Sequence, residues 1–203
     1  VIDISNPASP HVVGGVEAPG CYARSVVVSG NHAFVADLDR GLIMIDITNP
    51  TSPRIVGSIG MPGSVEDVAV SGDYACVTGP SIGLQVVDIT NPASPPIIGS
   101  VATPEWALEV AISGAHAYVA DSAAGLLVID VTNPSSPQVV GSVDTPGYAF
   151  GVAVSGHHAY VADHTGELRV IDITNPAHPQ NVGGFEVSDS AFGLAVSGSY
   201  AYV

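Results

Sequence analysis

One phrase, close to V-I-D-I-T-N-P, recurs five times along this chain and sets the period of anything the chain can build. Its Asp falls at Asp3, Asp46, Asp88, Asp130 and Asp172, at spacings of 43, 42, 42 and 42. A second phrase, V-S-G, places Gly30, Gly72, Gly114, Gly156 and Gly198 at a constant spacing of 42. Self-similarity at this period points to a stacked repeat architecture in which each unit buries its apolar surface against its neighbours.

Within one period, residues 107–145 read as four short strands. Ala107–Ser113 alternates and ends at the Ser113-Gly114 turn. Ala117–Ala120 and Leu126–Val131 follow, and Gln138–Val143 comes after the proline-bounded turn at 133–137. Four strands with tight turns in about 42 residues is the pattern of a β-propeller blade. The density of Pro and Gly and the β-branched content exclude helical repeats. The third strand is apolar almost throughout, as in L-I-M-I-D-I at 42–47, which fits a strand covered on both faces. The expected fold is therefore all-β: a single propeller domain over 1–203, of four-stranded blades. The cut points give four full blades and two half-blades, whose pairing would close a fifth. The alternative is an excerpt of a longer array.

A formal charge of −15, with no Lys and only Arg24, Arg40, Arg54 and Arg169 as fixed cations, opposes binding to phosphate backbones and excludes nucleic acid. Only 11% of residues are charged against 46% hydrophobic, a globular balance. No apolar run is long enough for a transmembrane segment. Cys21 and Cys76 fit no metal-finger or C-x-x-C spacing, and Cys76 takes a slot that Phe34, Tyr118, Tyr160 and Tyr202 hold elsewhere.

The third strands L-I-M-I-D (42–46), L-Q-V-V-D (84–88), L-L-V-I-D (126–130) and L-R-V-I-D (168–172) resemble the LVIVD-repeat family. The flanking I/V-T-N-P and A-Y-V-A-D phrases extend the resemblance over essentially the whole chain. It implies a bacterial or archaeal β-propeller, commonly secreted or at the cell surface, and it implies no activity. The second copy departs from the pattern, with Thr78-Gly79 in place of Ala-Asp.

The regular residues suit structure better than chemistry. Each Asp of D-I-T-N-P is alone in its blade, where it suits turn amides. His32, His116 and His158 share a slot with Tyr74 and Tyr200, a packing position. Neither catalytic residues nor metal ligands are assigned, and no cofactor is expected, calcium being the one candidate ion. Variation concentrates in the loops entering each first strand and joining the second to the third, where Asp37, Asp121 and Asp163 stand at the entrance. The candidate ligand-binding residues on that face are Tyr22, Arg24, Glu66, Asp67, Trp106, Glu109, Tyr148, Phe150 and Phe192, and His164 is the one histidine placed there. Aromatics offer rigid contact area and carboxylates orient a cation or polar group. Plugging of a central channel by Tyr148, Phe150 and Phe192 is the competing role.

The leading expectation is a non-enzymatic extracellular or cell-surface scaffold that presents this face to a protein, glycan or matrix partner. The alternatives are a self-assembling surface-layer or filament subunit joined through its half-blades, and a hydrolase or lyase with an acidic centre at Glu66, Asp67 and Glu109.

Overall fold

A computed structural model describes residues 1–18, 20–164, 166–187 and 190–203; Thr165, part of one candidate loop, lies outside them. Strands β1 (Ile2–Asp3) and β2 (His11–Val12) form a two-stranded sheet. Four antiparallel four-stranded sheets follow. The first contains β3 (Ala23–Ser29), β4 (His32–Asp37), β5 (Gly41–Asp46) and β6 (Arg54–Ile59). The second contains β7 (Asp67–Ser71), β8 (Tyr74–Gly79), β9 (Gly83–Asp88) and β10 (Ile97–Val101). The third contains β11 (Glu109–Ser113), β12 (His116–Ala120), β13 (Leu126–Asp130) and β14 (Gln138–Val143). The fourth contains β15 (Ala149–Ser155), β16 (His158–Asp163), β17 (Glu167–Asp172) and β18 (Gln180–Glu186). Strands β19 (Ala195–Ser197) and β20 (Tyr200–Tyr202) form a last pair. The two outer pairs are separate sheets, and among the described residues no ladder joins β20 to β1, so a closed fifth blade is not formed.

Each sheet is an up-and-down meander, and the first strands β3, β7, β11, β15 and β19 lie side by side in chain order. The sheets therefore stack face to face, and the core is the set of layers between them. Phe34, Leu42 and Met44 pack against Val68, Val77 and Val87; Leu84 and Val86 pack against Val119, Leu127 and Ile129; Leu126 and Val128 pack against Val152, Val161 and Ile171. Alternate residues of one third strand thus serve different layers, which explains why these strands read as unbroken apolar runs. Cys76 is fully buried in its aromatic slot, with its thiol pushed up to about 12 by burial, and both cysteines are free.

The turns explain the repeated phrases. Gly30, Gly72, Gly114, Gly156 and Gly198 all have φ between 56° and 59° at the first position of a two-residue hairpin loop, a left-handed backbone that favours glycine. Asp3, Asp46, Asp88, Asp130 and Asp172 each accept the backbone N–H two residues on, at 2.7–2.9 Å. The Asn of all five Asn-Pro turns does the same at 3.2–3.3 Å. These side chains satisfy the amides at the end of each third strand, where the proline stops the ladder.

The Asn-Pro turn also docks on the preceding sheet. A Cβ at Gly57, Gly99 or Gly141 in a fourth strand would collide with the carbonyl oxygen of Pro92, Pro134 or Pro176 in the next repeat. Glycine at this slot lets two backbones meet.

Candidate functional site

The first strand is the edge of its own sheet, so the N–H groups on its outer side have no ladder partner. Carboxylates from the preceding repeat fill this need. Val110 N–H donates to Asp67 Oδ2 at 2.9 Å, and Val152 N–H donates to Glu109 Oε2 at 3.1 Å, both across 43 residues. Ser25, in the equivalent slot one repeat earlier, donates its hydroxyl to Asp67. The slot becomes Gly151 in the fourth sheet. A Cβ there would stand 2.8 Å from Glu109 Oε2 and 2.9 Å from the Phe192 carbonyl oxygen, so glycine makes room for the Glu109 carboxylate.

Beside these ties lies a cavity of about 620 Å³, lined by Arg24, Ser25, Glu66, Asp67, Pro80, Trp106, Leu108, Glu109, Phe150 and Phe192. Residues at the starts of five successive first strands, or in the loops that enter them, converge there, joined by Pro80 from the β8–β9 turn. Arg24 Nε is 2.8 Å from Glu66 Oε2. Burial pushes the Asp67 carboxyl above its ordinary range against the opposing Ser25, Val110 and Val68 hydrogen bonds. Burial, reinforced by the nearby Asp67 charge, pushes Glu109 up to about 7 against the Val152 hydrogen bond. On the far wall, Phe150 and Phe192 meet edge to face with centroids 5.3 Å apart, and His164 packs on both at 5.1 and 5.2 Å. Trp106 is 61% exposed and Phe192 57%, so the aromatics form the wall of an open cavity.

Seven of the nine residues expected from the sequence line this cavity; Tyr22 and Tyr148 do not. Those two hold the rim through their backbones. Tyr22 N–H donates to Asp37 Oδ2 at 2.6 Å, and the Tyr148 carbonyl accepts His164 N–H at 2.9 Å. The side chains of both tyrosines are more than half exposed. Ser25, Pro80 and Leu108 join the lining. Ser25 was detectable, since it stands 42 residues before Asp67 in the same slot.

Asp37, Asp121 and Asp163, placed by sequence at the entrance to this face, are fully buried. Each clamps the loop that enters its own sheet: Asp37 takes the N–H of Tyr22, Asp121 that of Glu105 at 3.0 Å, and Asp163 that of Gly147 at 2.9 Å. In the second sheet Gly79 takes this slot. A Cβ there would collide with the Ser64 carbonyl oxygen, so the loop closes in on the space a carboxylate would need.

The carboxylates are already engaged by the protein. Glu66 holds Arg24, and Asp67 and Glu109 each give one oxygen to a backbone amide. Among the described residues no group of three His, Cys, Asp or Glu side chains could hold a metal ion.

Residues 1–18, 20–60, 62–103, 106–145, 146–187 and 189–203 each match the family model of the LVIVD repeat. The chain belongs to the LVIVD repeat family. Among solved structures, this LVIVD chain superposes on a functionally unknown protein from Desulfotomaculum acetoxidans DSM 771 with a TM-score of 0.72 at 15% identity, over 92% of its own length and 63% of that chain. It superposes on the computationally designed Ika8 protein with a TM-score of 0.71 at 11% identity, over 88% of its length and 54% of that chain. At such identities the likeness is one of fold. The LVIVD chain thus spans between half and two-thirds of the length of these structures. No curated protein matches it in sequence. No helix among the described residues is long and apolar enough to cross a membrane.

Proposed function

We propose that this LVIVD array is a β-propeller acting as a non-enzymatic binding scaffold, with the cavity beside the first strands as its working site. One observation carries the proposal. The residues that repeat are engaged in turns and in the turn-to-glycine joints between sheets, whereas the residues that vary between repeats converge on one cavity at the starts of five first strands. A site built this way changes its ligand by loop substitution and leaves the scaffold intact. An extracellular or cell-surface setting, with a protein, glycan or matrix partner, fits the acidic charge of −15 and belongs to the same proposal.

The test is to screen the protein on peptide and glycan arrays beside a Trp106→Ala/Phe150→Ala variant. Ligands held by the wild type and lost by the variant are expected. Ligands held equally by both would place binding elsewhere on the molecule.

Self-assembly is a second reading. Strands β1 and β2 occupy the third and fourth positions of a sheet, and β19 and β20 the first and second, so the two pairs are complementary. Tyr200 and Tyr202 on β20 are largely exposed. A concentration-independent monomer in sedimentation velocity would remove this reading.

A further inference from the structure

We infer that the cavity binds an alkylammonium or guanidinium group, carried by a small amine or by a basic side chain of a partner. The inference rests on the binding role proposed above and adds the ligand's chemistry.

Three features of the cavity converge on this class. The first is shape: about 620 Å³, open on one side, is ample for an aliphatic stem with a charged head. The second is the wall. Trp106, Phe150 and Phe192 present aromatic surface to the cavity, and the negative faces of such rings attract cations. The third is the charge left over after internal pairing. The one cation in the lining, Arg24, is matched by Glu66 at 2.8 Å, so Asp67 and Glu109 have no fixed positive partner. Glu109 Oε2 is held by Val152 N–H, and Oε1 has no hydrogen bond among the described residues. An anionic ligand would meet two carboxylates. A neutral apolar ligand would leave them desolvated without compensation.

Binding a cation would favour the ionised form of Glu109 and release its proton. Asp67 on β7 and the Val152 amide on β15 bear on this titration; the same lining holds the Arg24–Glu66 pair, with His164 behind the phenyl wall. None of them supplies a second fixed cation, so affinity should climb with pH as Glu109 ionises.

The test uses Trp106, the only tryptophan of the chain, as the reporter. Emission is followed during titration with butylammonium, Nα-acetyl-lysine amide and the neutral control 1-pentanol, at pH 5.5 and pH 8. Both cations should change the emission saturably and pentanol should not. Affinity should fall on the order of tenfold from pH 8 to pH 5.5. Glu109→Gln should bind more weakly and lose the pH dependence, while retaining the Val152 hydrogen bond that its amide oxygen can accept. A response to the lysine derivative alone would assign the group to a protein partner, and a response to both cations would admit free amines. Absence of a saturable change with either cation, or an equal change with pentanol, overturns the inference. If an array ligand still depends on Trp106 in that case, the binding role survives without the cation.

Discussion

Replacing Glu109 with Gln should reverse a pH-dependent loss of stability. Burial, with the neighbouring Asp67 charge, moves this carboxyl from an ordinary 4.5 to about 7 in the folded protein. The folded state therefore holds the proton more tightly than the unfolded chain does. The stability linked to protonation is complete below 4.5 and is lost as pH rises through 7. At roughly 1.4 kcal/mol per pH unit, the loss by pH 8.5 amounts to about 3 kcal/mol. Gln is neutral at every pH, nearly isosteric, and offers Val152 an acceptor oxygen. At pH 5 the variant and the wild type should unfold within about 1 kcal/mol of each other, the scale of one altered hydrogen bond. At pH 8.5 the variant should be more stable by about 2–3 kcal/mol, or roughly 5–10 °C in Tm for a chain of this size. The assay is urea and thermal unfolding by circular dichroism at both pH values. The variant-minus-wild-type difference between the two pH values removes groups that titrate alike in both proteins and leaves Glu109 with its coupling to Asp67. A difference that stays constant with pH, or that favours the wild type at pH 8.5, would refute the burial argument.

Two further outcomes probe the scaffold. Gly99→Ala should abolish folding or cost several kcal/mol, since its Cβ would strike the Pro134 carbonyl oxygen, whereas Gly183→Ala, with no atom within 4 Å, should leave the melting curve unchanged; a melt reads both. Asp37→Ala should cost about 2–3 kcal/mol in urea unfolding, because it strips acceptors from the amides of Tyr22, Asp39 and Arg40 around a buried position.

Much of this was written in local sequence. The period, the hairpin glycines and the Asp and Asn turn ligands act within a few residues of themselves, so spacing alone reveals their roles. The strand bounds of the third sheet show the limit of that reading: Ala107 and Leu108 read as strand, yet β11 begins at Glu109. Leu108 N–H still reaches the Ala120 carbonyl at 2.9 Å, so the chain is already held beside its neighbour there. The roles of Asp67 and Glu109 were hidden because their partners are backbone amides 43 residues away, and an amide leaves no mark in sequence. Asp37, Asp121 and Asp163 were legible in position but not in role. Their place at a loop entrance was right, but only burial shows that they face inward to tie the loop. Nothing in the sequence around Gly151 marks the Glu109 carboxylate that fills the space beside it.

The fit of each Asn-Pro turn into the glycine of the preceding fourth strand has a consequence for how such chains change. Every complete repeat carries both halves of the same joint, a carbonyl that protrudes and a glycine that receives it. A duplication or deletion of one 42-residue period among the later repeats therefore leaves every remaining joint matched, because the cut restores the half it removes. The first joint shows what else is tolerated: Gly14 meets the Pro50 carbonyl across 36 residues where the later joints span 35, so the extra residue is absorbed between the two halves and the contact itself is kept. Arrays of this kind can thus drift in length by whole units, and accept small insertions between joints, while the interface between units stays fixed.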